Sequence, residues 1–245
     1  MVHWFDSRIL PLRFLVAVVL ITAAAFTSSS AAPTQFFQPP VGKATIDPAD
    51  FHEPLLAAAI FQETNRQRAD LSLLPFSPDE RASNAARLHA RWMAGNHVLS
   101  HDEPAGQGPP TTASDRLMQQ GLRPHATAEN TAYNLLRDIA PGRPFYTRME
   151  SGQPVYSYRP GGAPLREHTY DDLARVLVAQ WMHSPRHRAH IADPRLEFLG
   201  VGVALAHRRG RPDTIYGVQD FFTPHTVEPS SNFRSGRATA LPPRP

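Results

Sequence analysis

Phe198-Leu199-Gly200-Val201-Gly202-Val203-Ala204-Leu205-Ala206 is followed, after the turn-prone stretch Arg208 to Asp213, by Thr214-Ile215-Tyr216-Gly217-Val218-Gln219-Asp220-Phe221-Phe222. Both runs are short, apolar and bounded by turn formers, so they read as the two strands of an antiparallel hairpin. Gly200 and Gly202 mark places where a neighbouring backbone can approach closely.

Upstream of this pair the pattern is helical. Leu55 to Ala69 puts Leu56, Ala59, Ile60 and Glu63 on one side. Ser77-Pro78-Asp79-Glu80 has the form of a capping box with proline at the first helical position, and the helix it opens runs until Gly95-Asn96. Its inward stripe is Ala82, Ala85, Ala86, His89, Trp92 and Met93. A third, short helix starts at Thr112 or Ser114 and stops at Gly121. A fourth opens on the acidic first turn Thr169-Tyr170-Asp171-Asp172 and carries Leu173, Val176, Leu177, Gln180 and Trp181 on one face. Helices first and strands last imply a layered α+β domain.

The chain has 245 residues, which suits one domain with trimmings. At its start, Arg8 and Arg13 precede an apolar run from Phe14 to Phe26 and then Ser-Ser-Ser-Ala-Ala-Pro ending at Pro33. A positive start, a short apolar core and small residues make a secretory signal peptide, with cleavage near Ala31 or Ala32. The run is short for a membrane span, which needs roughly 20 residues; an uncleaved N-terminal anchor is the alternative. The expected organisation is a signal peptide over 1–32, a Pro- and Gln-bearing linker over 33–50, one domain over 51–225 and a disordered tail over 226–245. No cysteine occurs, which excludes thiol catalysis, Cys-ligated zinc and a lipid-modified cysteine, and favours a bacterial periplasmic or secreted protein that folds without disulfides. The net charge is +3, with 25 basic residues dispersed among 22 acidic ones. That gives no case for nucleic acid, which would want a basic patch with interleaved aromatics.

Three segments concentrate chemistry: Asn96-His97-Val98-Leu99-Ser100-His101, Ala128-Glu129-Asn130, and Trp181-Met182-His183-Ser184-Pro185-Arg186-His187-Arg188-Ala189-His190-Ile191. With Asn65 and Arg68 before them and the Gly-Val-Gly-Val and Gln-Asp-Phe strands after, they stand in the order of the CAP superfamily, whose bacterial SCP-like branch this chain resembles. The resemblance spans about Leu55 to Phe222 and implies a three-layer α-β-α sandwich. It also implies a cleft built from His101, Glu129 and His187, with Ser184 where the eukaryotic branch has a second glutamate. Ala128 stands where the bacterial branch usually has glycine, and His190 where it has asparagine.

Two imidazoles and a carboxylate facing one cavity can hold a divalent metal such as Zn2+, with His101 and His187 as its ligands, and leave a position for water. They can act as an acid/base pair, or form a satisfied polar network with no ligand. His183 and His187 are separated by Pro185, which should begin a new short helix capped by Ser184, so the pair does not share a helix face. Between Glu129 and the fourth helix, Phe145 to Met149 and Val155 to Tyr158 flank a turn and read as an inserted β-hairpin, able either to wall the cleft or to decorate the surface. The expectation is an exported, non-catalytic module that binds a lipid or other small hydrophobic ligand, an envelope component or a partner protein. The alternative is a metal-dependent hydrolase. Membrane association is expected only through an uncleaved signal peptide.

Overall fold

The computed structural model describes residues 41–104, 112–140 and 142–225. The expected signal peptide, the first part of the linker and the C-terminal tail lie outside them. Helix α1 runs Glu53–Asp70, α2 Glu80–Asn96, α3 Ala113–Gln119, α4 Tyr170–His183 and α5 Pro185–Ile191. Strand β1 is Ser77–Pro78, β2 Pro124–Leu135, β3 Tyr146–Glu150, β4 Gln153–Ser157, β5 Phe198–Ala206 and β6 Thr214–Pro224. Among the described residues no helix is long and apolar enough to cross a membrane.

The main sheet has the order β1-β5-β6-β2, with β1 parallel to β5 and the other pairs antiparallel. The expected hairpin is its centre, in register from Phe198↔Phe222 to Ala206↔Thr214. Successive side chains of a strand point to opposite faces, and here each face meets its own helices. Leu199, Val201, Val203, Ile215 and Phe221 pack with Leu56 and Ile60 of α1, Leu173, Leu177 and Trp181 of α4 and Ile191 of α5. Ala204, Ala206, Tyr216 and Val218 pack with Ala86, Ala90 and Met93 of α2. The result is the three-layer α-β-α sandwich expected from the sequence.

Glycine explains how close α2 lies to the sheet. A Cβ on Gly200 would come within 2.1 Å of the Ala82 carbonyl carbon, and one on Gly202 within 2.1 Å of the Arg87 nitrogen. Two sheet residues on one face are about 7 Å apart and one helical turn rises about 5.4 Å, so consecutive turns of α2 rest on the two glycines.

The structure revises several local expectations. Ser77 and Pro78 do not cap α2; they pair with Phe198 and Leu199 as β1, and the cap is Asp79, whose Oδ1 accepts from the Arg81 and Ala82 amides at 2.8 and 3.1 Å. Ordered structure begins before Phe51: Ile46 is fully buried in the core, and its amide donates to the His168 carbonyl at 2.9 Å. Glu129 lies in the middle of the long strand β2, which the sequence did not signal and which pairs with β6 from Pro124 to Leu135. The inserted hairpin forms as a separate two-stranded sheet, with Ser151 and Gly152 both at positive φ (49° and 82°) between Glu150 and Gln153. Two left-handed residues make the turn whose twist matches paired strands.

Candidate functional site

His101, Glu129 and His187 come together. Glu129 points from β2 toward the α2–α3 side of the sheet and is almost completely buried. Its Oε1 accepts from His101 Nδ1 at 2.8 Å, and its Oε2 accepts from Arg116 Nη2 of α3 in a buried ion pair. The His187 ring, from α5, lies with its centroid 6.3 Å from that of His101 and inclined by 55°. Because Nδ1 of His101 faces Glu129, its Nε2 faces the opposite way. The basicity of His187 is lowered by burial first, and further by the neighbouring basic side chains His101, His190 and Arg186.

The triad rests on a buried polar network that sequence reasoning missed. Arg116 also holds the His101 carbonyl through both terminal nitrogens at 3.3 Å, fixing the loop that carries the imidazole. His89, on the inward stripe of α2, is fully buried. Its Nδ1 meets Glu103 Oε1 and its Nε2 the Ser100 carbonyl, each at 2.9 Å. Both ring nitrogens therefore face oxygens, one of a carboxyl group and one of a carbonyl. Basic and acidic side chains alternate around this cluster: His89 Nε2 is 3.9 Å from Glu129 Oε2, and Arg116 Nη1 is 3.9 Å from Glu103 Oε1. Asp220, the register partner of Glu129 on β6, completes the group with no exposed surface.

On the other face of the sheet a neutral network ties the same strands. Asn130 Nδ2 donates to Gln219 Oε1 at 3.0 Å and to the His187 carbonyl at 3.2 Å, and Gln219 Nε2 donates to Thr64 Oγ1 at 2.7 Å. His190 Nδ1 lies 2.8 Å from Asn130 Oδ1, so the histidine at the usual asparagine position helps hold β2 against α5. Burial first, then Arg186, lowers the basicity of His190.

These elements enclose a cavity of about 270 Å³ along β2, lined by His101, Thr112, Thr127, Glu129, Arg186 and His190 among others. Neither His187 nor Ser184 lines it. Ser184 stands between α4 and α5 as the residue preceding Pro185, and its side chain makes no capping hydrogen bond. The β3–β4 hairpin does not wall the cavity either. It packs near the far end of β2, where the Leu165 amide donates to the Tyr156 carbonyl at 2.7 Å and the Arg137 guanidinium lies 5.4 Å over the Tyr156 ring.

A zinc centre fits these residues poorly. Among the described residues no three His, Asp or Glu side chains are arranged to hold a metal ion. Glu129 is spent on His101 and Arg116, which leaves only His101 and His187 of the expected set, beside the cation of Arg186.

The model of the cysteine-rich secretory protein family (CAP) matches residues 61–116 and 109–221. Among solved structures, an extracellular protein containing an SCP domain from Bacillus anthracis str. Ames is 20% identical, over 69% of this chain and 41% of that one, with a TM-score of 0.45. An outer surface protein from Borrelia burgdorferi is 14% identical, over 67% of this chain and 90% of that one, at 0.41. A cysteine-rich secretory protein from Staphylococcus aureus is 15% identical, over 70% of this chain and 39% of that one, at 0.38. This chain thus spans less than half the length of the Bacillus and Staphylococcus proteins. No curated protein matches. Matched from residue 61 to residue 221, across every element that builds the sandwich and its cleft, the chain belongs to the cysteine-rich secretory protein (CAP) family.

Proposed function

We propose that this CAP protein is an exported binding module whose cleft, lined by His101 and Glu129 beside His187, takes a hydroxyl- or amide-bearing group of a cell-envelope component. One observation carries the reading: both oxygens of Glu129 are committed, one to His101 and one to Arg116. A carboxylate held this way orients an imidazole but is not free to act as a base or a metal ligand. About half of the cavity wall is polar, and its volume is just below the range usual for small-molecule pockets. It therefore suits one hydrogen-bonding group better than the apolar ligand expected from sequence. The larger recess, about 700 Å³ between α1 and α2 and lined by Phe51, Pro54, Phe61 and Val203, shares no residue with it.

The test is a nuclear magnetic resonance titration with soluble muropeptides. Ring resonances of His101 and His187 are expected to move, and His101→Ala to weaken binding about fivefold to tenfold, the worth of one hydrogen bond. Undiminished binding by His101→Ala sinks the reading. Zinc that co-purifies with wild type and is lost from that variant would replace it with the metal-dependent hydrolase.

Export rests on the charge and apolar pattern of residues 1–32. The intact mass of protein recovered from the periplasm or medium is expected to correspond to a chain starting after Ala31 or Ala32. A chain that keeps Phe14 to Phe26 would identify a membrane anchor instead.

A further inference from the structure

Asp220 is the group in this molecule that the cleft does not account for. It is fully buried in the central strand β6, and neither of its carboxylate oxygens has a hydrogen-bond donor. A buried charge without a partner is far too costly to keep, and the group neutralises instead. The charges facing it come from every element packed on that side of the sheet. Glu129 projects from β2 directly opposite, Arg116 from α3, His89 from α2, and His101 and Glu103 from the loop between α2 and α3. On β5 its register partner is Gly200, which carries nothing. Arg116 is already shared between Glu129 and Glu103. A third carboxylate would add a negative charge with no exposure to solvent, beside an arginine already committed to Glu129.

We infer that Asp220 carries a proton in the folded protein and donates it to Glu129, acting as a positioning residue that leaves His101 as an Nε2 acceptor in the cleft. Glu129 then accepts three times, from Asp220, Arg116 and His101. A carboxylate has the lone pairs for this. Burial above all, and then the adjacent Glu129, push the Asp220 carboxyl well above its ordinary range, in the same direction as the charge balance. Because Nδ1 of His101 faces Glu129 at 2.8 Å, the neutral ring carries its proton there and presents Nε2 as the acceptor. Its bare Nε2 then selects ligands that bring a donor: a hydroxyl or an amide N–H. Only this ligand class rests on the binding function proposed above; the proton on Asp220 does not.

Linkage gives the test a definite sign. A carboxyl whose folded value is raised keeps its proton while the unfolded chain releases it, so stability is full below the ordinary value of 3.8 and falls as pH rises toward the folded value. Asp220→Asn keeps a donor toward Glu129 and cannot ionise. The ratio of wild-type to variant unfolding constants is expected to climb with pH above about 4, by up to tenfold per unit, leaving the variant the more stable at neutral pH. A ratio that stays flat from acid to neutral pH overturns the assignment. If Asp220→Asn fails to fold, the wild type decides: with its aspartate carboxyls labelled with carbon-13, its infrared spectrum should keep a protonated-carboxyl band at neutral pH, and absence of the band overturns the assignment. Nitrogen-15 shifts should show His101 protonated at Nδ1 and bare at Nε2; the opposite tautomer overturns the positioning role. Muropeptides that fail to bind while these readouts hold would remove the proposed ligand and leave the proton where it is placed.

Discussion

Alanine at Gly200 or Gly202 is expected to cost about 3 kcal/mol or more, at the upper end of what overpacking does. The added methyl would sit 2.1 Å from the backbone of α2 in either case. No side chain can swing away, because the colliding atoms belong to the helix itself. The helix must lift off the sheet, pulling Ala86, Ala90 and Met93 away from Ala204, Tyr216 and Val218. It would also shift His89, and with it the loop that carries His101. Gly217→Ala is the control, since a Cβ there meets Trp181 at an ordinary 3.5 Å and should change stability by less than about 1 kcal/mol. Urea unfolding of the three variants distinguishes them. Near-wild-type stability for Gly200→Ala would mean that α2 does not rest on β5 as described.

Arg116→Met is expected to be about as damaging for an electrostatic reason. The arginine is buried, and removing one partner of a buried pair typically costs about 3–5 kcal/mol because the other charge is stranded. Here Glu129 and Glu103 would lose the guanidinium they share, and the His101 carbonyl would lose both of its donors. The double variant Arg116→Met/Glu129→Gln should recover a large part of the loss, since neither charge remains. Additive losses, measured by denaturant unfolding, would show that the two side chains are not coupled.

The sequence made much of this fold legible, for reasons that can be named. α4 and the β5–β6 hairpin carry apolar residues at clear helical or strand periods, and α3 carries the Thr112–Asp115 capping box that the structure contains. β2 escaped because Pro124 to Leu135 holds alanine, threonine and asparagine rather than an apolar alternation. Its inward residues Glu129 and Asn130 serve polar networks, so the strand lacks the signal by which half-buried strands are recognised. His101, Glu129 and His187 could be picked out from motif order alone. Their supports could not: His89, Glu103, Arg116 and Asp220 lie far apart in the chain and meet only through helix packing and strand register. One signal was available for Asp220, an acidic residue inside the otherwise apolar strand Ile215 to Phe222. Ser184 was read from its place in the motif, whereas the chain direction there turns it into a helix junction.

The sheet ends in β2 on one side and in β5, partly covered by the two-residue β1, on the other. Both cavities lie along these borders, the polar one beside Thr127 to Glu129 and the apolar one beside Val201 to Val203. An open strand border invites pairing with another molecule and so aggregation, unless something covers it. Along β2 that cover is the cleft itself: the His101 loop, the start of α3 and the residues of α5. Protection of this border and the binding proposed for the cleft thus depend on the same few side chains. A variant selected only for looser, more accommodating ligand entry would tend to lose its resistance to self-association as well.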